Sequence, residues 1–196
     1  MPGRFSANTA KSSDCLRDHF LLAMPGLSEG IFSQSLTYIC EHGESGAMGI
    51  IINQSLDLTL GEIFEHLQID TGRDFSREPV MAGGPVHMDH GFVLHRDCDK
   101  TWEASLKVTP EITLTTSRDI LRAIAEDNGP NEHLIALGYA GWAAGQLEQE
   151  LTENSWLTIP SNSDIIFSTP AHQRLGAAAA LLGIDMNLIS GQAGHA

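Results

Sequence analysis

Apolar positions fall into short runs separated by glycine-rich or polar breaks. The run from Ser35 to His42 is rich in β-branched and aromatic residues and predicts a strand, because such side chains suit a pleated surface. Gly43 to Gly46 interrupts it, and Ala47 to Asn53 predicts a partner strand, the two forming a hairpin with a loop of about four residues. Leu60, Ile63, Phe64 and Leu67 recur at the spacing of one helix face, and Thr59 with Glu62 supplies a capping box at its start. Pro79 to Ala82 and Gly91 to His95 read as short strands. Ser105 to Val108 and Ile112 to Thr115 flank Pro110 and predict a second hairpin. Ile120, Leu121 and Ile124 mark a helix capped by Thr116 or Ser117 and ended near Gly129-Pro130.

The distal third continues the mixture. His133 to Gly138 predicts a buried strand, from which a glycine-rich turn ending at Gly145 leads into a short helix, Gln146 to Leu151. Trp156 to Pro160 and Ile165 to Phe167 predict late strands. Thr169-Pro170 opens the last helix as cap and first position, and Gly183 ends it. Hairpins interspersed with helices, without steady βαβ alternation, point to an α+β fold on a mixed, largely antiparallel sheet. No internal repeat or long linker divides the chain. The expectation is one domain over residues 19–196, preceded by a loose segment over residues 1–18.

Composition narrows the function classes. The chain has 196 residues, 42% hydrophobic and 18% charged, with 19 glycines and 8 prolines, which excludes collagen-like, coiled-coil and disordered acidic chains. Eleven Lys and Arg stand against 25 Asp and Glu, a net charge of −14. No cation occurs between Arg17 and Arg73 or between Arg122 and Arg174. Proteins that grip DNA neutralise several phosphates with clustered cations, so neither direct nucleic-acid contact nor binding to an anionic membrane is expected. The three cysteines, Cys15, Cys40 and Cys98, are widely spaced with no CxxC pair, consistent with reduced thiols in the cytoplasm. Phe20 to Met24 is too short an apolar run for a signal or a membrane span.

Several clusters invite chemistry. Gly43, Gly46 and Gly49 superficially suggest a phosphate cradle, but they lead into a strand with no lysine near, and a hairpin turn accounts for them. Gly138 to Gln146 is better placed, since backbone N–H groups at a helix start can hold an anion and Tyr139 and Trp142 could wall a small-ligand pocket. His87, Asp89 and His90 form the densest metal-capable set. On a regular strand, however, His90 would point away from the other two, so no metal site is assigned. Cys40 and His42 would share a strand face, yet no cation or oxyanion donor accompanies the thiol. There is no Gly-x-Ser-x-Gly elbow, and no catalytic residue or cofactor is assigned.

Taken in order, a set of blocks resembles the AlgH/YqgE family of bacterial proteins. The blocks are Ala23-Met24-Pro25, Gly46-Ala47-Met48-Gly49 with Asn53, Gly83-Gly84-Pro85-Val86, and Gly91 to His95. They continue with Gly138 to Trp142, Gly145-Gln146-Leu147, Asn154 and Trp156, and the similarity runs from about Phe20 to Gln192-Ala193-Gly194-His195-Ala196. The resemblance implies an α/β fold whose bifurcated sheet curls into a pseudo-barrel with flanking helices. It also implies a cytosolic protein and, through the link of the AlgH name to alginate synthesis, a role as a transcriptional regulator. With so acidic a chain, that role is expected to run through a protein partner or small ligand. His42, Asn53 and His95 lie within the family's motifs, whereas His87, His90, Cys40 and Cys98 lie outside them. His42, Asn53, His95, Trp142 and Gln146 are therefore the ligand-pocket candidates. The alternative is an enzyme or ligand-binding protein built on the Gly138–Gln146 turn and a histidine.

Overall fold

A computed structural model describes residues 15–186. Its strands are β1 (His19–Ala23), β2 (Leu36–Gly43), β3 (Gly46–Ile51), β4 (Ser55–Thr59), β5 (Pro79–Ala82), β6 (Val86–Arg96), β7 (Ser105–Lys107), β8 (Ile112–Thr115), β9 (His133–Ala143) and β10 (Trp156–Pro160). Its helices are α1 (Leu60–His66), α2 (Arg118–Ala125), α3 (Gln146–Thr152), α4 (Ser163–Phe167) and α5 (Ala171–Ala180). The strands join in the order β10-β1-β2-β3-β9-β6-β8-β7, with β5 on β9 and β4 on β5. All pairings are antiparallel except β5 with β9. The result is an α+β fold whose curled sheet forms a half-barrel.

Side-chain alternation explains why both faces of the sheet are covered. On β1, Phe20 and Leu22 enter one core with Tyr38, Ile50, Leu94 and the helix residues Ile166 and Ala179. Leu21 and Ala23 point the other way, into a cluster with Ile39, Trp142 and Leu147. A strand buried on both faces reads as an unbroken apolar run, which is what Phe20 to Ala23 is. On β6 and β9, Val93 and Ile135 leave the main core to pack with Leu60, Phe64, Ile120 and Ile124 beneath α1 and α2. Arg174 fastens α5 to the sheet, its guanidinium donating to the carbonyls of Ile52 and Thr169. Burial among these neutral acceptors pushes its pKa down to about 10.

Strand β9 is the hub. Its first half lies between β5 and β6, and its second half passes to β3. The alternation reverses at Gly138: Ile135 and Leu137 face the α1–α2 side, whereas Tyr139 packs on the main core. Gly138 makes the reversal possible, with φ of 72°, a left-handed conformation that costs other residues dearly.

Several expectations change. Gly138 to Ala143 is strand, so the turn into α3 is only Ala144-Gly145 and no long glycine loop faces the helix start. Ile165 to Phe167 belongs to helix α4, where Asn162 caps the chain by accepting from the Asp164 N–H. The apolar triplet is too short for its periodicity to distinguish strand from helix. Thr169 does not cap α5; its hydroxyl donates to the Asp164 carbonyl instead. Ser117 precedes α2 without a capping hydrogen bond. The Thr59–Glu62 capping box is formed as the spacing predicts. Of the segment expected to be loose, residues 1–14 lie outside the described range, as does the family block at Gln192 to Ala196. Residues 15–18 are held against β2, the Asp18 carboxylate accepting from the Tyr38 hydroxyl and from Ser161. No helix among the described residues is long and apolar enough to cross a membrane.

Candidate functional site

The five pocket candidates fall in three places. His42, Trp142 and Gln146 meet around α3. The His42 Nδ1 accepts the Leu16 backbone N–H at 3.0 Å, so in the neutral ring the proton sits on Nε2, which reaches Glu148 Oε1 at 2.7 Å. Its side chain is only 6% exposed. Gln146 accepts the Ala143 N–H and donates to Glu150 Oε1, each at 2.9 Å. The indole N–H groups of Trp142 and Trp156 both donate to Glu150 Oε2, at 2.9 and 2.8 Å. Phe32 completes the aromatic cluster, 5.8 Å edge-on to Trp156. Trp142 is therefore packed rather than presented as a pocket wall. What His42 and Trp142 do line is a small open depression of about 300 Å³ beside Gly43 and Arg17.

Asn53 and His95 lie elsewhere. Asn53 accepts the Leu36 N–H at 2.7 Å and donates to the Gln34 carbonyl at 2.9 Å, tying the end of β3 to the entry of β2. His95 is buried between β6 and β8, with Nδ1 on the Arg96 carbonyl at 2.8 Å and Nε2 accepting from the Thr115 hydroxyl at 2.9 Å. Among the described residues, no hydrogen bond or ring contact joins either to the α3 group. The structure thus brings His42, Trp142 and Gln146 together but not Asn53 and His95, which sit at the end of β3 and on β6, bonded to other partners.

His95 has a measurable consequence. Burial is the largest influence on it and holds its pKa below the ordinary 6.5, against the opposing effects of the Arg96 carbonyl and Asp97. Below pH 6.5 the unfolded chain takes up a proton at this residue that the folded chain refuses. Stability contributed by neutral His95 is therefore complete above that pH and drains away as the pH falls toward the folded value, by at most about 1.4 kcal/mol per pH unit. The His95→Gln variant, which keeps an acceptor and a donor but cannot titrate, should show a shallower loss between pH 6.5 and 5 in urea unfolding. Equal slopes would refute the assignment.

Cys40 is inert by position. It occupies a bulge in β2 between Ile39 and Glu41, fully buried in the main core, where desolvation raises its thiol pKa far above the usual range. The bulge breaks the alternation that would have set it beside His42.

A separate cleft takes in Gly91 and Val93 of the Gly91–His95 block together with Asp89 and His90. Its volume is about 620 Å³, and it opens between α1 and α2 over the β6–β9 pair. Val93, Ile135 and Leu137 form its floor, and Ile63, Leu67 and Leu121 form its walls. Helices α1 and α2 each dock through their own buried stripe, Leu60 and Phe64 on one, Ile120 and Ile124 on the other. Between them Ile63, Leu67 and Leu137 remain only half-covered. The rim carries Glu62, His66, Asp89, His90 and Arg118. Glu62 is committed to the capping box, whose Thr59 donors hold its carboxyl below the usual range. Asp89 is likewise lowered, by its hydrogen bond from His90. The Arg118 and His66 side chains are exposed and have no hydrogen bond or ion pair among the described residues. Part of it was legible in the sequence: Gly91 and Val93 fall in a family block, Asp89 and His90 in the metal-capable set, and Ile63 and Leu67 widen the apolar face of α1 beyond what docking the helix needs.

The metal-capable set also differs from expectation. Four residues of β6, His87 to His90, stand opposite the single β9 residue Gly138, since Val86 pairs with Tyr139 and Gly91 with Leu137. The bulge places donor atoms of His87, Asp89 and His90 within 4.8 Å of one another.

Comparison with known proteins agrees with this architecture. Residues 20–187 match the AlgH-like family. The UPF0301 protein of Saccharophagus degradans is 57% identical over 181 residues, covering 92% of this chain and 89% of its own length. The UPF0301 protein of Thioalkalivibrio sulfidiphilus is 54% identical over 185 residues, covering 94% and 99%. Among solved structures, the solution structure of the AlgH protein from Pseudomonas aeruginosa superposes with a TM-score of 0.78 at 45% identity, covering 95% of this chain and 98% of that one. A crystal structure of a Corynebacterium diphtheriae protein shares the fold at a TM-score of 0.70 and 17% identity, covering 89% and 91%.

Proposed function

The chain belongs to the AlgH-like family, and from that premise we propose that it is a cytoplasmic ligand-binding protein whose α1–α2 cleft takes a small amphipathic organic anion. The carrying observation is an apolar cleft of about 620 Å³ with an unpaired guanidinium, Arg118, at its rim. The volume lies within the range of small-molecule sites, which combine apolar walls with a few polar anchors. In this reading the apolar body of the ligand covers Val93, Ile135 and Leu137, and its carboxylate meets Arg118 with His66 beside it. A regulatory role then runs through occupancy of the cleft rather than through contact with DNA. The pairing of other cations supports this: Arg73 with Glu78 and Asp127, Arg96 with Glu132 and Asp164, and Lys107 with Asp97.

The test is a thermal-shift and calorimetric panel of medium-chain and aromatic carboxylates, each beside its neutral amide. At 100 times its dissociation constant a binder should add about 2.7 kcal/mol of stability. Replacing Arg118 by Glu removes a charge-assisted contact worth about 1.5–3 kcal/mol, roughly a 10–100-fold loss of affinity. A panel without any stabilising acid, or acids that bind Arg118→Glu as well as wild type, would refute the proposal.

A further inference from the structure

The bulge in β6 breaks the regular ladder between β6 and β9. One residue opposite Gly138 would continue the ladder, yet four are spent there. His87 stands there at a φ of 48°, a left-handed conformation that an imidazole-bearing residue adopts only at an energetic cost. The side chains released by the bulge are exposed, so burial does not repay that cost. Bulges of this kind recur where a strand must re-aim side chains toward a site. Here the re-aimed groups are two imidazoles and a carboxylate. The His87 ring lies 5.2 Å edge-on from that of His90 and 5.9 Å from that of Tyr139, and His90 Nδ1 is 2.9 Å from Asp89 Oδ1.

We infer that His87, Asp89 and His90 form a binding site for a borderline divalent first-row metal of the zinc and cobalt class. Two nitrogen donors and one oxygen donor suit such ions, whereas calcium and magnesium favour all-oxygen sets. Metal–ligand bonds of ~2.0 Å in a tetrahedron set donor separations near ~3.4 Å. Donors already within 4.8 Å reach that arrangement by small rotations of unburied side chains. Three protein ligands leave a fourth position for an outside donor, the pattern of exchangeable rather than purely structural sites. Asp89 and His90 also line the cleft, which places the metal at its rim. The inference does not rest on the cleft's proposed ligand, since the metal can be titrated by itself.

The experiment uses the full chain without an affinity tag. Zinc chloride is titrated by calorimetry, and cobalt(II) by its visible ligand-field absorption. One equivalent should bind, with cobalt bands typical of four or five ligands. His87→Ala, His90→Ala and Asp89→Asn should each weaken zinc at least as much as the roughly 10–100-fold lost with an outer-sphere partner. His172→Ala, which alters an exposed imidazole on α5, should not. His87→Gly separates ligation from architecture: glycine accepts the left-handed backbone, so this variant should be at least as heat-stable as wild type while losing the metal. Absence of saturable binding, or binding unchanged in the His87→Ala/His90→Ala pair, would overturn the site. So would a loss of folding in His87→Gly, which would make His87 a structural residue.

Discussion

Gly84→Ala is expected to be the most damaging single-methyl change in the described part of the chain. Gly84 follows β5 and crosses directly against the backbone of β9. A methyl built on it would overlap the carbonyl group of Tyr139 and the amide nitrogen of Ala140. These are main-chain atoms in the hub strand, so no side-chain rotation relieves the overlap. The reciprocal position is Gly138, where an added methyl would strike the Gly84 carbonyl. Two glycines thus meet face to face at the point where β9 passes from β5 to β3. Overpacking costs about 1–3 kcal/mol, and a positive φ, here 156°, adds about 1–3. A destabilisation of about 3–5 kcal/mol in guanidinium unfolding is expected. Gly145→Ala supplies the contrast, since its φ is 75° but nothing lies within 4 Å of the new methyl. It should lose only the strain component. If both variants lose the same amount, the close crossing is not what requires glycine at 84.

Glu150→Ala should have the second largest effect, about 2–4 kcal/mol. One carboxylate oxygen accepts both indole N–H groups, from Trp142 and Trp156, and the other accepts from Gln146. The indoles are 6% and 4% exposed, so water cannot readily replace the lost acceptor. Each orphaned buried donor costs about 1–3 kcal/mol. Glu150→Gln should recover most of the loss, because its amide oxygen can serve both indoles while Gln146 adjusts. Tryptophan fluorescence reports the site directly: the Ala variant should show an altered emission in the folded state and the Gln variant little change. A Glu150→Ala protein as stable as wild type would show that the Trp pair is held by ring packing alone.

These two positions also show what can be read from the chain. Glu150 belongs to none of the motifs or chemical clusters singled out in the sequence. In the structure it is the acceptor that unites Trp142, Gln146 and Trp156. Of the five pocket candidates, His42, Trp142 and Gln146 meet around α3, held by hydrogen bonds to Glu148 and Glu150 and by packing. Asn53 and His95, the other two, satisfy backbone groups and a buried hydroxyl at separate places. The cleft as a whole was not foreseen, because its residues converge from α1, β6, α2 and β9, which are distant in the chain.

Local chemistry was settled within the sequence: the strand character of Leu36 to Gly43, the capping box at Thr59 and Glu62, the hairpin around Pro110, and the acidic balance of charge. Each depends on neighbours a few residues apart, whose sterics and charges act wherever the segment ends up. The convergence of distant segments was decided only by the tertiary structure. A left-handed Gly138 reverses the faces of β9, a bulge gathers His87, Asp89 and His90, and two separately docked helices leave a cleft between them. The physical reason is that a strand's alternation is carried from residue to residue. One left-handed or unpaired residue flips every side chain beyond it, and only the ladder it must pair with determines where that happens.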